Sequence, residues 1–106
     1  MNRGEIRWYT FCPPDKRRSV LILTRSDVIN PLNEFIVAPA TRTNRGLATE
    51  VVLPPEDGIP VLCALNFEHV SLAQGDRIGA TLCSLPDSRW PEARRALLVA
   101  CGFEAG

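Results

Sequence analysis

The chain has 106 residues, enough for one domain (1–106) and too few for two independent cores. Hydrophobic residues make up 45% and charged residues 23%, ordinary globular values that exclude a disordered or fibrous chain. Net charge is zero; the longest apolar runs, 20–23 and 96–101, are far below membrane-spanning length, and the first residues lack the apolar core of a signal segment. A cytoplasmic domain with no membrane partner is expected.

Residues 5–11 alternate, with Ile6, Trp8 and Thr10 on one face and Arg7 and Tyr9 on the other, which predicts a half-buried strand. A Pro-rich, charged connection follows over 12–18. The run Ser19-Val20-Leu21-Ile22-Leu23-Thr24 reads as a strand buried on both faces. Ser26-Asp27 can cap a single helical turn that Pro31 stops. Residues 34–38 resume an extended run that meets Pro39 and then the polar loop Thr41-Arg42-Thr43-Asn44-Arg45-Gly46. Residues 49–53 form a β-branched strand ended by Pro54-Pro55-Glu56-Asp57-Gly58, a strong turn signal. Further strands are expected over 61–66 and 76–82.

Near the C-terminus, Trp90, Ala93, Leu97 and Cys101 recur at helical spacing, widened by Ala96, Leu98 and Ala100, with Arg94 and Arg95 opposite. Asp87 or Ser88 can cap this helix, Pro91 fits its first turn, and Gly102 suits the position just past its end. Short strands plus one terminal helix make an α+β pattern, a small curled sheet or barrel with a helix packed on it.

Of the 12 basic side chains, Lys16 is the one lysine, an arginine bias that a high-GC coding preference also explains. Residues 1–50 carry 8 basic and 5 acidic groups, a local +3 that residues 51–106 reverse. Cys12, Cys63, Cys83 and Cys101 show no paired spacing, and His69 is the one histidine, so neither metal nor disulfide is expected. Cys63, Cys83 and Cys101 read as small core residues, and Cys12 as a loop residue.

Two stretches concentrate polar chemistry. Lys16-Arg17-Arg18 precedes the buried strand, where a guanidinium on a rigid strand end suits a phosphate; a solvated basic turn has the same composition. In the 41–46 loop, hydroxyls, guanidinia and an amide suit phosphates and base edges of single-stranded nucleic acid, although a plain surface loop can look alike. Tyr9, Trp8 and Phe67 can stack on bases, but Trp8 and Phe67 fit a core better. Glu68 and His69 are neighbours that a strand would point to opposite faces, so they are not expected to share a site.

In this order the segments resemble the MazF/PemK-type toxins of bacterial toxin–antitoxin pairs. The resemblance runs through Arg3-Gly4-Glu5-Ile6 with Trp8, Arg18-Ser19-Val20-Leu21-Ile22-Leu23, and Ile36-Val37-Ala38-Pro39-Ala40-Thr41. It continues through Arg45-Gly46-Leu47-Ala48-Thr49-Glu50-Val51, the Pro54–Pro60 turn, Leu65-Asn66-Phe67-Glu68-His69-Val70, Asp76-Arg77-Ile78-Gly79 and the terminal helix. It implies a curled, SH3-like barrel of five to seven strands with a C-terminal helix, working as a homodimer. It further implies cofactor-free, metal-independent cleavage of single-stranded RNA at short motifs, restrained by a cognate antitoxin.

By the same resemblance Arg18 matches the catalytic arginine, Thr41 the catalytic threonine, and Glu68 the acidic position where some members place a general base. Asn66 falls at a neighbouring position that is basic in some members. Arg17, Arg42, Thr43, Asn44 and Arg45 are the candidates for RNA contacts. The chain departs from the pattern at Ser19, where proline is usual, in its short 12–18 connection, and at Val70-Ser71-Leu72, which lacks a usual basic residue. Two other classes compete: a non-enzymatic toxin on the same fold, like the CcdB branch that binds DNA gyrase, and an RNA-binding barrel without turnover.

Overall fold

The computed structural model describes residues 1–11, 16–26, 33–60 and 62–105. The strands are β1 (Glu5–Thr10), β2 (Arg17–Ile22), β3 (Glu34–Thr41), β4 (Glu50–Leu53), β5 (Cys63–Asn66), β6 (Ser71–Gln74) and β7 (Ile78–Ser84), and one helix, α1 (Trp90–Ala100), follows them. All pair antiparallel in the order β4-β5-β3-β2-β1-β7, with β6 also on β3. The expected barrel is therefore an open, curled sheet: β4 and β7 end the path without pairing. Its two ends still approach, because the turn after β4 closes on Gly58, whose backbone has a φ of 97°. A Cβ there would stand 3.0 Å from the Cβ of Cys83 on β7.

Alternation along β2 explains how one sheet buries both faces. Val20, Leu21 and Ile22 are all fully buried. Leu21 joins the larger core with Ile6, Ala38, Leu53, Leu65 and Phe67, against which Ala93 and Ala96 of α1 pack. Val20 and Ile22 point the other way, into a smaller core with Tyr9, Phe35, Val37 and Ala73. The apolar run of β2 is thus the central layer of the molecule. Tyr9, placed on the polar face by the sequence, is 5% exposed, and its hydroxyl accepts from the Gln74 N–H at 2.9 Å. Its polar tip is satisfied while its ring fills the small core.

The helix forms where the periodicity places it, with Pro91 in its first turn. It is entered through a 3-10 turn, Asp87–Arg89, and no side chain caps it, so neither Asp87 nor Ser88 acts as the cap. Its end is a Schellman closure: Gly102 has a φ of 82°, its N–H donates to Val99 at 3.0 Å, and the Phe103 N–H donates to Leu98 at 2.8 Å. Cys101 lies past the buried stripe and is exposed, not a core residue; Cys63 is buried and Cys83 half-buried. Cys12 and the turn expected after Ser26 lie outside the described residues. Among the described residues no helix is long and apolar enough to cross a membrane.

Candidate active site

The site grows from an interruption along one edge of β3. Residues Glu34, Phe35, Ile36 and Val37 pair with β6, whereas Ala40 and Thr41 pair with Leu65 and Ala64 of β5. Between the two ladders Phe67–His69 is looped out as a 3-10 turn. Phe67 anchors it, 2% exposed in the larger core, and the Asn66 side chain caps it by accepting from the Glu68 N–H at 2.9 Å. Pro39 explains why β3 runs on through a residue expected to end it. The backbone groups of Ile36 face the β2 side, bonded to Thr24 and Leu23, so by alternation Pro39 faces the interrupted edge. Its missing N–H costs no ladder bond there.

On the opposite edge β3 leaves β2 after the Val20–Pro39 pair. Beyond that point the strands diverge, and a cleft of about 450 Å³ opens on the face that holds the smaller core. Arg18 enters it from β2 and Thr41 from β3, with Thr43 and Arg45 from the following loop, Asn66 from the end of β5 and His69 from the looped-out turn. Phe11, stacked edge-on to Tyr9 at 4.8 Å between ring centroids, supplies an apolar wall. Arg18 is exposed but rests on a strand whose next two same-face residues, Val20 and Ile22, are fully buried. Its base is rigid and its guanidinium free to reach a ligand.

The loop is held by its own polar groups. Thr41 Oγ1 accepts from the Thr43 N–H at 3.2 Å, and Asn44 Oδ1 accepts from the Gly46 N–H at 2.9 Å. Glu50 Oε1, at the start of β4, accepts from the N–H groups of both Arg45 (3.0 Å) and Leu47 (3.1 Å). The Thr41 hydroxyl thus has an acceptor lone pair occupied, which leaves its proton to donate into the cleft. Among the described residues two guanidinia and an imidazole line this space against one carboxylate engaged with backbone, so the cleft favours an anion. Among the described residues no three His, Cys, Asp or Glu side chains gather as metal ligands.

Of the residues singled out in the sequence, Arg18, Thr41, Thr43 and Arg45 come together in the cleft. Arg17 does not: it points to the other face of the sheet, its guanidinium 4.4 Å from the Trp8 ring. Arg42 and Asn44 are exposed on the loop and do not line the cleft. Glu68 is also exposed and outside the lining, so the partial burial that would suit it to proton removal is not found. His69 lines the cleft and Glu68 does not, so the two do not share the site, as expected, although the cause is a turn and not the alternation of a strand. Asn66, a preferred capping residue, was the signal that could have shown this turn.

Residues 2–100 match the family model described as PemK-like, MazF-like toxin of type II toxin-antitoxin system. "Probable endoribonuclease MazF5" of Mycobacterium tuberculosis (strain ATCC 25618 / H37Rv) is 39% identical over 99 residues, covering 92% of this chain and 90% of that protein. The solved "Mycobacterium tuberculosis toxin MazF-mt6" superposes with a TM-score of 0.87 at 31% identity, covering 94% of this chain and 98% of that one. A structure titled "Endoribonuclease in complex with its cognate antitoxin from Mycobacterial species" shares the fold, with a TM-score of 0.86 at 19% identity over 100% of this chain and 99% of that one. The family match spans nearly the whole chain and includes every strand and the helix that build and back the cleft; this protein belongs to the PemK-like, MazF-like toxins of type II toxin–antitoxin systems.

Proposed function

We propose that this protein is an endoribonuclease toxin, as the names of its relatives suggest, and that it cuts single-stranded RNA without a metal. The observation behind this reading is the meeting of Arg18 and Thr41 in one anion-favouring cleft. Metal-free cleavage is simplest when the substrate's own 2′-hydroxyl attacks the adjacent phosphorus, since proximity is built into the RNA. The 2′-oxygen bonds to phosphorus, the bond to the 5′-oxygen breaks, and the ends are a 2′,3′-cyclic phosphate and a 5′-hydroxyl. Arg18, always charged, grips the non-bridging oxygens as negative charge builds, an interaction worth about 3–4 kcal/mol in comparable sites. Thr41 donates a hydrogen bond from its hydroxyl to the same phosphate, and Arg45 and Thr43 hold flanking nucleotides.

The proposed partner is a protein antitoxin, as the family description implies, presenting an acidic segment that folds over the basic cleft in the cytoplasm. A homodimer is proposed as well. Ile36 and Leu72, register partners on β3 and β6, are 46% and 60% exposed, an apolar pair that a second copy would cover. Incubation of the purified protein with a long single-stranded transcript in EDTA tests the reading. Discrete cuts with 5′-hydroxyl ends, absent for Arg18→Ala, are expected; intact RNA from folded protein would overturn it.

A further inference from the structure

The cleft poses a problem of proton supply. Arg18 and Arg45 only donate, and neither accepts a proton near neutral pH. The Thr41 hydroxyl is a poor base and is engaged with the Thr43 N–H. Glu50 already accepts two backbone hydrogen bonds on one oxygen, and the Asn66 oxygen accepts from the Glu68 N–H. Glu68 itself is exposed and lies outside the lining. Among the described residues that line the cleft, His69, the only histidine of the chain, is the side chain best suited to take a proton and give it back.

We infer that His69 is the general base of the cleavage, a role that rests on the proposed RNA cleavage and belongs to the same cleft. A neutral ring nitrogen of His69 takes the 2′-hydroxyl proton as the 2′-oxygen bonds to phosphorus. The electron pair of the breaking bond leaves on the 5′-oxygen, which takes a proton from water, and the imidazolium returns its proton to solvent. Geometry favours this assignment over Glu68. The looped-out turn is pinned by buried Phe67 and capped by Asn66, so its third residue turns into the cleft and its second stays outside. His69 is exposed and no core packing depends on it, so its replacement tests chemistry rather than folding.

His69→Gln keeps a polar side chain of similar reach and removes the proton acceptor. With the same transcript in EDTA, its single-turnover rate should fall by about 10²–10⁴-fold, the usual contribution of acid–base catalysis, with RNA affinity unchanged. A base must be neutral to act, so wild-type rates should rise with pH as the base loses its proton, and the variant should lack that step. Among the described residues the charged groups around His69 are Arg18, Arg45 and Glu50 in the cleft and Glu68 beside it on the turn, so loss of the pH step in His69→Gln alone is what assigns it to the imidazole. Free imidazole should restore cleavage to His69→Ala, which a structural role would not allow. Glu68→Gln should cleave like wild type. A His69→Gln protein that cleaves at the wild-type rate with the wild-type pH profile overturns the inference and leaves the endoribonuclease reading intact. Wild-type protein that leaves RNA uncut overturns both.

Discussion

Arg18 and Thr41 stand on adjacent strands, each two positions beyond the Val20–Pro39 pair, where β2 and β3 part and their side chains face one cleft. Hydrogen-bonded strands would hold the two side chains against the sheet; the divergence leaves room for a phosphate between them. The Thr41 hydroxyl matters here as a donor. Thr41→Ser should therefore retain most cleavage, while Thr41→Val, equal in shape but without the hydroxyl, should lose about 10²–10³-fold in single-turnover rate. Equal rates for the two variants would remove the donor role.

Arg45 and Arg17 should behave differently. Arg45 lines the cleft, whereas Arg17 stacks on Trp8 across the sheet. Arg45→Ala should shallow the dependence of log affinity on log salt for single-stranded RNA by about 0.7, the release expected from one lost phosphate contact. Arg17→Ala should leave that slope unchanged. Fluorescence titrations at a series of salt concentrations, with an uncleaved 2′-deoxy-substituted oligonucleotide, read both values.

The end of α1 offers a stability test remote from the chemistry. Gly102 has a φ of 82°, and a Cβ there would meet nothing within 4 Å, so the cost of Gly102→Ala is backbone strain alone. That strain is about 1–2 kcal/mol. At roughly 4–8 °C per kcal/mol for a domain of this size, thermal melts should show a clear drop in Tm with cleavage unchanged at low temperature.

Glu5 links the start of the sheet to pH. Partial burial raises its pKa, but the Arg7 guanidinium, bonded at 2.8 Å, and the Asn2 backbone outweigh it and hold the carboxyl below its ordinary 4.5. A carboxyl depressed in the folded state stabilises it above the unfolded value and loses that contribution as pH falls through the folded one. Tm should therefore decline below about pH 4.5 in the wild type, by linkage. Glu5→Gln should start lower at neutral pH and decline less steeply in acid. Parallel curves for the two proteins would contradict the sign.

Periodicity along the chain, a property of near neighbours, was enough to reveal the central strand and the helix. The unbroken run at 19–24 shows burial on both faces, and the spacing of Trp90, Ala93 and Leu97 shows the stripe that packs on the larger core. Ser71–Gln74 was not legible as a strand, because Ala73 is its one buried residue and no alternation survives in four positions. Arg18 and Thr41 were legible as candidates through the order of their motifs, but their meeting was not.

What the amino-acid sequence determined by itself was the local repertoire: strands, a terminal helix, turns at proline and glycine, and a basic segment beside a polar loop. Tertiary structure alone decided which of those polar groups share a space. The change of partner along β3 loops out Phe67–His69, bringing His69 into the cleft and leaving Glu68 outside. The alternation of β2 sends Arg18 into the cleft and Arg17 onto Trp8. Both outcomes depend on pairing between residues distant in the chain, and a shift of one position in a strand exchanges its faces.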